Sequence, residues 1–146
     1  MPRAIDVANY FLARNVGTDD DEGVSNLKLQ KLVYYAQGFH AAITGNPLFN
    51  EPIQAWAHGP VVPALYHEFK NNGSNPIPAP VAFNAEAVFS QDQIGLLNEI
   101  NNVFGQFSAW RLREMTHQEL PWQSHEKAAD EIPVEEMRQY FLTRLR

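Results

Sequence analysis

Apolar positions recur at helical spacing along most of this chain, and the stretches where that period breaks carry their own information. Ile5, Ala8, Phe11 and Leu12 mark an amphipathic helix over residues 4–15, which Gly17 is expected to end. NLKLQKLVYYAQGFHAAITG (26–45) follows, with Ser25 or Asn26 as its cap. Leu29, Leu32, Val33, Ala36, Phe39 and Ile43 form a broad apolar face there, and Leu27 and Tyr35 add a flank. A helix apolar over more than one face sits between other elements, so this is the expected central helix, stopped by Gly45, Asn46 and Pro47.

Residues 48–58 change period. Ile53, Ala55 and Ala57 alternate with Gln54, Trp56 and His58, which argues a short extended arm, and Gly59-Pro60 reads as its turn. Helical spacing returns with Val62, Leu65 and Phe69, and Pro63 fits the first turn, where no intrahelical donor is needed. NNGSNPIPAP (71–80) is a loop, with extended structure considered over 77–84. Ser90 and Gln93 form a capping box before a stripe of Ile94, Leu97, Ile100, Val103 and Phe104, closed by Gly105. Ser108 caps a shorter helix with Trp110, Leu112 and Met115. THQELPW (116–122) reads as a turn, and a short helix is considered over 123–129. Pro133 opens the last helix, with Glu135 and Glu136 in its first turn and Met137, Phe141 and Leu145 inward. The predicted fold is mainly α: a single compact helical domain over residues 1–146 with a short two-stranded β insert around 48–60.

Composition narrows the classes. The 146 residues suffice for one domain with a real core. There is no cysteine, so disulfides and thiolate metal sites are excluded. No run of 18 apolar residues predicts a membrane span, and the amphipathic N-terminus lacks the apolar core of a signal peptide; a cytoplasmic protein is expected. The net charge of −6 counts against general nucleic-acid binding. Basic candidates are Arg111 and Arg113, and Arg138, Arg144 and Arg146, the last three also suited to a helix C-terminus. The acidic run TDDDEG (18–23) reads as a solvated connector, or as a site for a cation or a basic partner.

Most tests for catalytic chemistry return nothing. The chain has no G-x-S-x-G, no glycine-rich phosphate loop and no H-E-x-x-H, and helix capping accounts for Ser90 and Ser108. Of the five histidines, His58 and His117 could converge with Glu119, the one arrangement that would suit a metal-assisted hydrolase.

Three segments carry a resemblance: LKLQKLVYYAQG (27–38), NPLFNEPIQAWAHGPVVPALYHEFK (46–70) and THQELPW (116–122). In them L-x-K-L-x-Y-x-A-x-G is followed by A-W-x-x-G-P-V, and the chain resembles the Panacea domain family, which includes SocA-like antitoxins and phage-associated GepA-like proteins. The positions singled out within these segments are Lys31, Tyr35 and Gly38, then Gly59, Pro60 and Val61, then His117, Glu119, Pro121 and Trp122. The resemblance implies an antitoxin of a bacterial or prophage toxin–antitoxin pair, with no catalytic residue, metal or cofactor. Its partner would be a cognate toxin protein, held directly or delivered to a ClpXP-type protease. Trp56, His58, Tyr66, His67 and Lys70, around the stiff Gly-Pro corner, are the candidate partner-binding residues, although Trp56 could instead be core, packed on Tyr34 or Trp122. An acidic surface would steer a basic toxin inward. A metal-assisted phage hydrolase and a DNA-binding autoregulator are the competing readings.

Overall fold

A computed structural model describes residues 1–15 and 23–145, so the expected stop at Gly17 and most of the acidic connector lie outside the described residues. The elements run α1 (Ala4–Arg14), α2 (Asn26–Thr44), β1 (Gln54–Trp56), β2 (Gly59–Val61), α3 (Pro63–Phe69), a 3-10 turn (Lys70–Asn72), α4 (Ala85–Val88), α5 (Gln91–Phe104), α6 (Ala109–His117), α7 (Leu120–Gln123) and α8 (Val134–Leu142). The fold is mainly α, with β1 and β2 paired as one antiparallel hairpin.

Helix α2 is the axis of the molecule. Ser25 Oγ accepts from Lys28 N at 3.2 Å to start it, and Gly45 ends it. Helices α1, α5, α6 and α8 all pack on it, and its apolar residues from Leu29 to Ala36 are sealed from solvent. The contact with α8 is an aromatic cluster: Phe141 meets Tyr34 and Tyr35 edge-on, while Tyr35 stacks on Phe104 at 4.0 Å with rings 7° apart. Gly38 makes the close approach possible. A Cβ there would lie 2.2 Å from two atoms of the Phe141 ring.

Polar side chains of α2 are buried as well, and they hold the irregular chain that follows. Gln37 Nε2 donates to Phe49 O at 2.9 Å, and its Oε1 accepts from Leu48 N at 2.7 Å. Gln30 Oε1 accepts from Val62 N at 2.9 Å. Asn26 Nδ2 donates to Tyr66 O at 3.3 Å, and Lys31 Nζ donates to Pro60 O at 3.0 Å. Leu48 and Phe49 therefore bond to a helix side chain rather than to a strand, and the expected extended arm shortens to Gln54–Trp56. The hairpin gains a third edge from Glu131: Ala55 N donates to Asp130 O at 3.0 Å and Ile132 N to Ile53 O at 2.8 Å.

Several expectations are corrected. Gly59-Pro60 is not the turn but the start of β2, and Ala57 and His58 make the turn. No strand forms over 77–84, because Pro76, Pro78 and Pro80 remove the donors a ladder needs; Asn84 instead caps the short α4. The helix considered at 123–129 does not form, those residues being turns beyond Gln123; the short helix α7 lies instead at the end of the segment read as a turn, with Pro121 in its first turn, and Pro133 caps α8 rather than opening it. Ile43 is 57% exposed beside an open hollow with Met1 and Leu96, and Val103 and Leu145 are also exposed. Arg138 does not serve a helix C-terminus: it lies within α8 and binds Glu135 through two hydrogen bonds of 2.6 and 2.8 Å.

The Gly38 contact gives a direct test. Alanine gains up to about 1 kcal/mol of helix propensity over glycine, whereas overpacking a core costs about 1–3 kcal/mol or more. With ring atoms 2.2 Å from the added methyl, the clash wins. Gly38→Ala should lower the urea midpoint at unchanged m-value; a raised midpoint would show that α8 does not seat on this position.

Candidate functional site

The hairpin, α3 and α6 enclose an apolar groove of about 570 Å³. Trp56, at the end of β1, is half-buried, and its ring meets Tyr66 of α3 at 5.0 Å, nearly edge-on. Its indole N–H donates to Gln54 Oε1 at 2.8 Å, and its carbonyl accepts from Trp122 Nε1 at 2.7 Å. Trp56 is thus fixed by its neighbours while its ring faces Tyr66 rather than a core aromatic. Trp110, 56% exposed, forms the opposite wall from α6, with the Arg113 guanidinium 4.5 Å over its ring.

Of the five candidate partner-binding residues, Trp56, His58, Tyr66 and Lys70 line this groove, and His67 does not. His58, exposed in the hairpin turn, accepts from Arg113 Nε at 3.1 Å. His67 is an exposed residue of α3 whose ring lies 5.6 Å from Tyr66.

The motif residues build the wall behind the groove. Gly59 has φ +115°, a conformation that side chains rarely adopt, and a Cβ there would lie 2.6 Å from Lys31 Cε and 2.8 Å from Thr116 Oγ1. Pro60 and Val61 are buried beside it. Lys31 is completely buried, and burial, aided by the nearby Arg113 charge, lowers its pKa to about 7.

Glu119 is a buried charge as well. Its two carboxylate oxygens accept from Tyr34 Oη at 2.9 Å and Tyr35 Oη at 2.8 Å. Burial raises its pKa to about 7 against the opposing effect of those two hydrogen bonds, and it drives both tyrosines upward in turn. Trp122 and Pro121 are buried next to it, and His117 stacks on Trp122 at 3.9 Å with rings 6° apart. His117 has its pKa lowered by burial and by the Arg113 and Lys31 charges.

The convergence of His58, His117 and Glu119 on a metal, raised as an alternative, is overturned by this arrangement. Glu119 is committed to two tyrosines of α2, His117 lies flat on an indole, and His58 faces Arg113 in solvent. Among the described residues, no group of three His, Asp or Glu side chains is placed to hold a metal ion. The basic candidates Arg111, Arg113 and Arg144 border a separate hollow that also contains Glu114 and Glu119, so its charge is mixed.

Sequence reasoning missed Trp110 as a wall, Gln30 and Asn26 as anchors, and Tyr34 as the second donor to Glu119. The one visible signal for Trp110 was a tryptophan followed by two arginines, Arg111 and Arg113, on a short helix with little core to fill.

Residues 29–123 match the family model described as Antitoxin SocA-like, Panacea domain. Among curated proteins, the chain is similar to Antitoxin SocA of Caulobacter vibrioides (strain NA1000 / CB15N), with 41% identity over 75 residues, covering 49% of this chain and 39% of the relative. The chain spans about two fifths of the length of that curated relative. No solved structure matches.

The Glu119 environment predicts a pH dependence. Its folded pKa, about 7, lies above the ordinary value of 4.5, so between those values the folded state holds more proton than the unfolded one. Stability from this group is complete below pH 4.5 and declines as pH rises through about 7. Glu119→Gln cannot titrate. Relative to it, the wild type should lose about 1–3 kcal/mol between pH 4.5 and 7.5 in urea unfolding. Parallel pH curves for the two proteins would refute the shift.

Proposed function

This chain belongs to the SocA-like antitoxin, Panacea domain family, and from that premise we propose that it neutralises a cognate toxin protein by binding it, without catalysis. The observation that carries this reading is the groove walled by Trp56, Tyr66 and Trp110. Aromatic side chains have few torsions to freeze, bury large areas, and dominate binding energy when they stand on a fixed support. The support here is stiff. Gln30 and Lys31 hold β2, Trp122 holds the end of β1, and Ser108 caps the helix that carries Trp110.

The packing of α1 and α8, outside the family match, on the same central helix supports reading residues 1–146 as one domain that carries the groove. No helix among the described residues is long and apolar enough to cross a membrane, which accords with action on a toxin in the cytoplasm. Direct holding of the toxin is the reading the groove supports. Delivery of the held toxin to a ClpXP-type protease would use the same contact and add a second surface.

The test is growth rescue. Co-expression with the toxin encoded beside this gene should restore growth, and the two proteins should co-purify. Tyr66→Ala combined with Trp110→Ala should weaken binding by at least about tenfold, with the circular dichroism spectrum and melting temperature retained. Full rescue by that folded double variant would move the toxin off the groove. Turnover of a substrate that disappears on replacing one histidine would end the non-catalytic reading.

A further inference from the structure

The groove's charge is the reverse of the molecule's. The chain carries a net charge of −6, yet no Asp or Glu lines the groove among the described residues, while Lys31 and Lys70 do, and His58 there accepts from Arg113. Walls of Trp56, Tyr66 and Trp110 make it otherwise apolar. Behind its floor, Lys31 is buried with one hydrogen bond, to Pro60 O at 3.0 Å, and no carboxylate pairs with it among the described residues. An ammonium has three donors. Burying one with a single acceptor and no counter-ion is costly, and the neighbouring charge, Arg113, has the same sign and raises that cost.

A buried amine with donors left over, beside an apolar groove that has no acid among its described lining residues, is unfinished electrostatics. Resting on the toxin-binding reading, we infer that the groove receives one acidic side chain of the bound polypeptide, an Asp or Glu flanked by apolar residues, whose carboxylate neutralises Lys31. The apolar flanks fill the space between the three aromatic walls, and the carboxylate enters on the side of Lys31, with Lys70 and His58 also bordering its path. Removal from water makes such a charge pair stronger than a surface pair, so the acid acts as a specificity anchor as well as a contact. A nucleic-acid strand is the poorer fit. Phosphate tracking needs a row of Lys and Arg along a groove, and among the described residues only Lys31 and Lys70 line this one.

A random peptide library displayed on phage, selected against the wild type and against Lys31→Met, tests this without the toxin. Wild-type selection should enrich one Asp or Glu position between apolar residues, and Lys31→Met should lose that preference. The strongest selected peptide, synthesised with amidated ends, should bind the wild type about tenfold or more tightly than its Glu→Gln analogue. The two peptides should bind Lys31→Met equally. The comparison on the wild-type protein needs no folded variant, so it decides the matter even if Lys31→Met fails to fold. Absence of an enriched acid, equal binding of both peptides to the wild type, or displacement of the peptide by a dT12 oligonucleotide would overturn the inference. Failure of growth rescue would remove the toxin and leave the peptide result standing. Intact rescue with a flat selection would remove only the acidic anchor.

Discussion

The structure depends on one helix supplying hydrogen bonds that a sheet would otherwise provide. After α2 the chain runs without regular structure to β1, and buried backbone groups left unpaired would cost about 1–3 kcal/mol each. Gln37 meets Leu48 and Phe49 with both ends of its amide, in the manner of a peptide unit on a neighbouring strand. Gln30 and Lys31 then take the N–H of Val62 and the carbonyl of Pro60. These bonds fix the hairpin and the start of α3 against the central helix, and with them the positions of Trp56 and Tyr66. The groove is a consequence of that docking, since two of its aromatic walls stand on chain that α2 holds in place.

Lys31 and Glu119 are buried near α2, and each is driven toward neutrality. Lys31 falls to about 7 and Glu119 rises to about 7, so each is close to half-charged near neutral pH. They are not partners. Glu119 has both oxygens filled by Tyr34 and Tyr35, whereas Lys31 has one acceptor for three donors. The filled site belongs to the core, knitting α2 to the start of α7. The unfilled one borders the groove. That asymmetry separates a structural charge from one with capacity left for a partner.

The helical framework was legible because capping and periodicity are local. Ser25, Ser90 and Ser108 each cap the helix expected of them, and the stripe of Leu97 and Ile100 is buried as its spacing implies. What could not be read is set by distant chain. Gln30, Lys31 and Gln37 look like surface positions in a helix, and only the return of residues 48–62 buries them. The hairpin turn was misplaced by two residues because Gly59 is required by Lys31 and Thr116 behind it, not by the turn. The edge formed by Asp130–Ile132 pairs with residues some 80 positions away, and no local pattern announces it. Within the site, the motif residues were found through the family resemblance, whereas Trp110 became visible only once α6 stood opposite the hairpin.

The molecule also separates long-range from short-range electrostatics. A net charge of −6 acts over a Debye length of about 8 Å at physiological salt, which favours approach by a basic partner. Inside the groove, the relevant field comes from Lys31, which is buried from solvent and salt, with the exposed Lys70 at the rim. The two fields select for different things: the first for the partner's overall charge, the second for one residue in one place. A partner meeting both would be basic overall and carry an acid within its contact segment, a combination rarer than either alone. The walls that frame this choice come from β1, α3 and α6, and their outward faces can change without disturbing Gln30, Gln37 or Glu119 behind them. Selectivity can therefore vary at the rim while the buried network keeps the scaffold fixed.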